Sequence, residues 1–305
     1  MQRRFKDYLI ISFKGLAMGA ADAVPGVSGG TIAFISGIYE ELINTISNVN
    51  FSLLKTLFND GFKTFWKKLN GAFILALLSG IIVSFISFMK LAKYLLEHHP
   101  ILIWSFFFGL IIASIYFVAK QITKWNFKTI SFLIIGIAIA FYVSKLPLLT
   151  TTENPWFLFI AGAIAICAMI LPGISGSFIL IILSAYKPLS DAINDTDIKK
   201  LIIFIAGAFI GLLSFSHVLK WLFKHYHNIT LAVLTGFIFG SLNTVWPWKN
   251  TLTWHTNSKG IKSPLLQESI SPFSFNGDNQ ILFAIILMLL GFLTIFCLEK
   301  LGNKK

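Results

Sequence analysis

Two short stretches hold the residues best suited to binding an anion, PGVSGGT at 25–31 and PGISGSF at 172–178. Both set Pro, Gly, Ser and Gly at one internal spacing. Pro followed by Gly halts a helix, small residues allow a tight turn, and the serine is suited to cap the next helix. A helix start presents free N–H groups and roughly half a positive charge, which draws phosphate or carboxylate. Irregular backbone at bilayer depth is tolerated only where protein or a water-filled cavity satisfies it, so two such breaks facing one another would line a midplane pocket. The candidate substrate-binding residues are Pro25, Gly26, Ser28, Gly29, Gly30 and Thr31 in one copy and Pro172, Gly173, Ser175, Gly176 and Ser177 in the other. For a single copy a plain kink explains Pro and Gly equally well. The recurrence of the pattern is what favours a site.

Asp22, just before the first motif, is the acid set well inside apolar sequence and joins the candidate site. Carboxylates at such depth are costly and suggest a role. It is placed to accept a proton, which would make protons a coupling ion, or to pair with Lys14 or cap the turn. Lys14, Lys90 and His217 are candidates for supplementary positive charge, although long lysines near helix ends commonly snorkel to water. Gly26, Ser28 and Gly30 satisfy the G-x-S-x-G elbow of hydrolases, but Ser177 replaces the last Gly in the second copy and no acid and His pair is positioned to activate Ser28. The glycine-rich stretch lacks the Lys of a nucleotide-binding P-loop. His98 and His99 have no i, i+4 partner, and Cys167 and Cys297 show no metal or disulfide spacing, so no catalytic residue, metal or cofactor is expected.

These residues sit in 305 that are 56% hydrophobic and only 12% charged, with a mean hydropathy of +0.77. An average soluble domain carries about 25% charge, so the composition is that of a membrane protein. The formal charge of +12 fits cytoplasmic loops attracted to anionic lipid and does not imply nucleic acid. About 20 apolar residues cross a bilayer, and six runs approach that length: 71–92, 101–119, 129–145, 201–220, 229–246 and 281–298. Two more, 8–45 and 156–187, are broken by the Pro-Gly pairs. The first residues imitate a secretory signal, but Lys14 interrupts the apolar run and the segment has a later counterpart, so a retained segment is expected.

That counterpart belongs to an internal duplication. Shifting the chain by 147 places ten identical residues over positions 14–43, among them Gly15 on Gly162, Pro25 on Pro172, Ser28 on Ser175 and Tyr39 on Tyr186. A shift of 127 pairs Gly80, Lys93, His98, Gly109 and Ser114 with Gly207, Lys220, His225, Gly236 and Ser241, and sets Lys90 opposite His217. The difference reflects a longer polar connection at 46–70; the third helix of each half shows no clear match. Each half then holds one broken segment and three spanning helices. A hairpin adds no crossing and a full double span adds two, so the count per half is odd and the halves are inverted. The expected fold is an all-α polytopic membrane protein, a single integral domain over 1–305 with repeats at 8–146 and 156–298. It has six spans plus two re-entrant hairpins, or ten spans if the hairpins cross. With both termini in the cytoplasm, 16 of the 25 Lys and Arg fall inside. Residues 247–280 form a long outward loop.

The two motifs, with Asp22 before the first, closely resemble the bacterial polyprenyl-phosphate transporter (PopT) family, and the resemblance extends over nearly the whole chain. It implies a flippase that returns undecaprenyl phosphate, the lipid carrier of cell-envelope glycans, across the cytoplasmic (inner) membrane. The implied partners are the polyprenyl phosphate and the bilayer. A weaker similarity is to undecaprenyl pyrophosphate phosphatases, whose related loop carries Arg after the Ser; here Gly29 and Gly176 stand there, which argues against phosphatase chemistry. An integral polyprenyl-pyrophosphate phosphatase and a small-anion transporter are the alternatives.

Overall fold

Apolar runs without Pro become long helices, and each Pro-Gly break ends one. The computed structural model describes residues 3–22, 28–146, 155–194, 196–256 and 262–302. In the first half, α1 (Phe5–Asp22) stops at the break and the short α2 (Gly29–Ile35) and α3 (Tyr39–Ser47) follow. The polar connection folds into α4 (Phe51–Asn59) and α5 (Gly61–Lys68). Asn70, in the left-handed region at φ 58°, then turns the chain by 63° into α6 (Gly71–His98). α7 (Pro100–Ala119) and α8 (Phe127–Val143) complete this half. The second half holds α9 (Pro155–Ile170), α10 (Gly176–Ile182), α11 (Tyr186–Asn194), α12 (Ile198–Gly240) and α13 (Ile281–Gly302).

α12 runs through what the hydropathy divides into two segments, but Tyr226 breaks it at φ −135°, ψ 44°. His99, which caps α6 before α7, has φ −135° and ψ 50°, and 99 plus the offset of 127 is 226. The break in α12 thus has the backbone angles of the α6–α7 junction at the position the 127 offset pairs with it. The turn after α2 behaves the same way: Gly37 and Ser184, 147 apart, both take positive φ, at 72° and 54°.

Helix contacts recur at the same offsets. A side chain at Gly15 of α1 would run into the Leu77 carbonyl of α6, and one at Gly80 into that of Ser12. At Gly162 of α9 and Gly207 of α12 the obstacles are the carbonyls of Phe204 and Phe159, which are the shifted partners. The third helix of each half crosses to the other half. Gly109 of α7 abuts Met288 of α13 while Gly291 abuts Phe106, and Gly236 of α12 abuts Leu133 of α8 while Gly136 abuts Val233. Small residues at such crossings let backbones approach closely where lipid supplies no hydrophobic drive between helices.

Large apolar side chains such as Ile134, Ile202, Phe209, Leu282 and Leu289 point outward, as lipid-facing helices require. Among the described residues, Pro100–Ala119 and Ile198–Asn243 are long and apolar enough to cross a membrane; Phe127–Val143, Trp156–Ile170 and Ile281–Phe296 are shorter apolar helices. The chain is a mainly helical membrane protein. One departure from the all-α expectation lies in the 247–280 loop. There β1 (Lys249–Thr256) and β2 (Lys262–Ser269) pair antiparallel, from Lys249 opposite Ser269 to Thr256 opposite Lys262. β-branched Thr251, Thr253 and Thr256 and Trp254 favour extended backbone, and no apolar helical period competes.

Candidate functional site

The breaks bring the two motif copies into direct contact. Ser28 Oγ donates to the carbonyl of Met169 at 3.0 Å, just before the second break, and Gly173 N donates to Thr31 Oγ1 at 2.9 Å. Ser28 and Thr31 are buried, at 3% and 1% exposure. Gly30 permits the approach, since a Cβ there would lie 2.5 Å from the Ile170 carbonyl oxygen. Gly173 turns the second break at φ 85°, close against the Phe237 carbonyl of α12. Pro172 is buried beside it. Pro25 and Gly26 lie outside the described residues.

The copies differ in how they satisfy their helix starts. At α2, Asp22 Oδ1 accepts from Gly29 N at 2.7 Å, Ser28 Oγ accepts from Gly30 N at 3.1 Å, and the Ser28 carbonyl accepts from Thr31 N at 3.0 Å. The donors expected to face a guest are therefore engaged by the chain itself, and the Asp22 carboxylate stands where an anion would. A shift of 147 puts Met169 opposite Asp22, so α10 lacks this acid. Ser175, at the N-cap of α10, makes no side-chain cap bond; its Oγ lies 2.9 Å from Ser177 Oγ. Ser177 is exposed and Gly176 buried.

Gly173, Ile174 and Ser175 line a cleft of about 10 Å³ together with Ser144, Ser241 and Thr244. That volume suits one water-sized group, so a phosphate requires the cleft to widen. Beside it, Lys249 of β1 donates to the Thr244 carbonyl at 2.5 Å and holds its ammonium 3.8 Å from the centre of the Trp104 ring. Desolvation there pushes the Lys249 ammonium down to about 7. Ser144, Thr244 and Lys249 were not legible as site residues, because they lie on elements remote from either motif. Ser241 had a signal in its identity with Ser114 at the 127 offset.

The supplementary charges fall elsewhere. Lys14 Nζ donates to the Ser36 carbonyl at 2.6 Å, at the C-terminal end of α2. Seven helical residues separate that end from Asp22, roughly 10 Å at 1.5 Å per residue. His217 is exposed on α12 with Nδ1 2.7 Å from its own helix's Leu213 carbonyl. Lys90 lies on α6, its side chain outside the described set. The structure thus gathers Asp22, Ser28, Gly29, Gly30, Thr31, Pro172, Gly173, Ser175, Gly176 and Ser177, and leaves Lys14 and His217 away from the motif contact.

The two motif copies thus meet inside a mainly helical, apolar chain. The chain belongs to the undecaprenyl phosphate translocase-like family, which residues 18–263 match. A Vibrio cholerae relative named polyprenyl-phosphate transporter is 46% identical over the full length of both chains. A Staphylococcus aureus relative of the same name is 34% identical over 77% of this chain and 84% of its own. No solved structure matches the chain.

Proposed function

We propose that this chain is a transporter that carries the phosphate head of a polyprenyl phosphate, undecaprenyl phosphate in particular, across the bacterial cytoplasmic membrane while the tail stays in lipid. The observation that carries the proposal is the contact between the two motif copies, Ser28 to Met169 and Thr31 to Gly173. It puts hydroxyls and helix starts of both halves at one locus. A phosphate at mid-bilayer costs several kcal/mol or more unless it is hydrogen-bonded and neutralised, so a protein that supplies donors there accelerates its passage. The names of the two relatives support the same substrate class.

The halves act as an inverted repeat, 8–146 and 156–298, with both termini in the cytoplasm. The recurring glycine contacts and the matched breaks at His99 and Tyr226 support the duplication. Asp22 holds the Gly29 amide until it is protonated or displaced by the incoming phosphate, so a proton taken up there would favour loading. The chain is no enzyme in this proposal. Ser28 Oγ accepts from Gly30 N while it donates to a carbonyl, a structural use of the hydroxyl that leaves no activated nucleophile.

Liposomes bearing labelled undecaprenyl phosphate test the proposal. Reconstituted protein should accelerate leaflet exchange without releasing inorganic phosphate from the pyrophosphate form. Phosphate release would instead establish a hydrolase, and chloride flux without lipid exchange would establish a small-anion pathway.

A further inference from the structure

The connection that distinguishes the first half from the second ends in a site of its own. α4 is nine residues and α5 eight, roughly 13 and 12 Å long, too short to cross a hydrocarbon core of about 30 Å. Yet α4 turns an apolar stripe outward. Phe51, Leu54 and Phe58, at helical spacing, are 84%, 51% and 82% exposed, while Leu53 and Thr56 are buried on the opposite face. Phe62 of α5 extends the outward stripe, stacked on Trp66 at 5.7 Å. Interleaved are Lys55, Lys63, Lys67 and Lys68 against one acid, Asp60. Short helices with apolar side chains outward and lysines between them lie in the interfacial plane, the rings in the acyl boundary and the ammoniums among headgroups.

Behind this stripe is an open cleft of about 320 Å³ lined by Asn48, Asn50, Ser52, Thr56 and Lys68. Two ammoniums reach its walls from different elements. Lys68 Nζ lies 3.2 Å from Thr56 Oγ1 and 3.4 Å from Asp60 Oδ2, and Lys220 Nζ of α12 donates to Asn48 Oδ1 at 3.2 Å. Amides, hydroxyls and two cations surround a space of ligand size that opens at the interfacial level. We propose that this cleft holds the phosphate headgroup of an anionic bilayer phospholipid, at the interfacial depth that the outward stripe of α4 sets. The assignment rests on Asn48, Lys68 and Lys220, none of them in the contact between the motif copies, so it stands apart from the proposed transport function.

Full-length protein in mild detergent, loaded with phosphatidylglycerol and weighed intact by native mass spectrometry, tests this. Phosphatidylcholine of the same tails and inorganic phosphate serve as the comparison probes. Phosphatidylglycerol should remain bound at least fivefold more than phosphatidylcholine. The pair Lys68→Gln with Lys220→Gln should remove that preference, and Lys68→Arg with Lys220→Arg should keep it. Retention unchanged by the glutamine pair, or equal retention of the two lipids, would overturn the site. Full displacement of the lipid by millimolar inorganic phosphate would overturn the lipid assignment. Should the glutamine pair fold poorly, Asn48→Leu provides a second variant, with the same loss expected and unchanged retention counting against the site.

Discussion

The two motif copies share a backbone but not a chemistry. In the first, Asp22, Ser28 and the Ser28 carbonyl take up the opening donors of α2, and Ser28 and Thr31 clasp the other half. In the second, Met169 stands in place of the acid, Ser175 and Ser177 bond each other, and the only one of the two motifs to line the small cleft is this one, among the described residues. The two copies thus play unlike parts, one a clasp and the other its partner. The first copy's hydroxyls bond across to the other half, whereas the Ser175 and Ser177 hydroxyls of the second bond each other.

The largest test of that division is Gly30→Val. Its Cβ would press on the backbone carbonyls of Ile170 and Met169, at 2.5 and 2.9 Å, and neither can move aside without moving the second break. Overpacking of this kind costs about 1–3 kcal/mol or more. Thermal unfolding in detergent should show a large loss of stability together with loss of lipid exchange. Wild-type behaviour would mean that the clasp is not tight.

Smaller but more discriminating is the comparison of equivalent positions. Asp22→Ala removes a charge-assisted bond to a buried amide and should cost about 1–3 kcal/mol, whereas Met169→Ala, at a partly exposed side chain, should cost less than about 1 kcal/mol. Ser28→Ala should cost about 0.5–2 kcal/mol as the loss of a cap, with Ser175→Ala nearer to neutral in unfolding yet at least as damaging to lipid exchange. Equal stability losses for the two serines would erase the distinction between clasp and partner.

A separate test concerns pH at the edge of the cleft. Lys249 binds its proton up to about 7 in the folded chain and to its ordinary 10.5 when unfolded. Between those values the unfolded chain holds more protons, so this group's contribution to stability rises with pH across that window. Lys249→Met should therefore raise the melting temperature at pH 7 and flatten its rise toward pH 9. An unchanged slope would remove Lys249 from the cleft's electrostatics.

Much of this helical architecture was legible in the sequence because polar and glycine landmarks stand out in apolar runs. Gly15, Gly80, Gly162 and Gly207 recur in the sequence because each is a point where two helix backbones touch. The third helix of each half was expected as a span, at 129–145 and 281–298, but showed no match to its counterpart, since the contact each makes rests on a single glycine, Gly136 or Gly291, amid interchangeable Ile and Leu. The break at Tyr226 falls between the apolar runs 201–220 and 229–246, so hydropathy announced it although neither Pro nor Gly marks it. The motif serines were legible as a pair, but their unequal bonding depends on Asp22 against Met169, a difference that a search for identities passes over. Lys249 comes from a loop whose strand pairing no helical period announces, so only folding brings it to Thr244.

The crossed glycine seams, α7 with α13 and α8 with α12, carry a mechanical consequence. Each half lends its final helix to the other, like two hands with exchanged thumbs, so neither can swing as a rigid block without prising open both joints. A chain cut between α8 and α9 would have to bring both fragments into one bilayer to rebuild either seam.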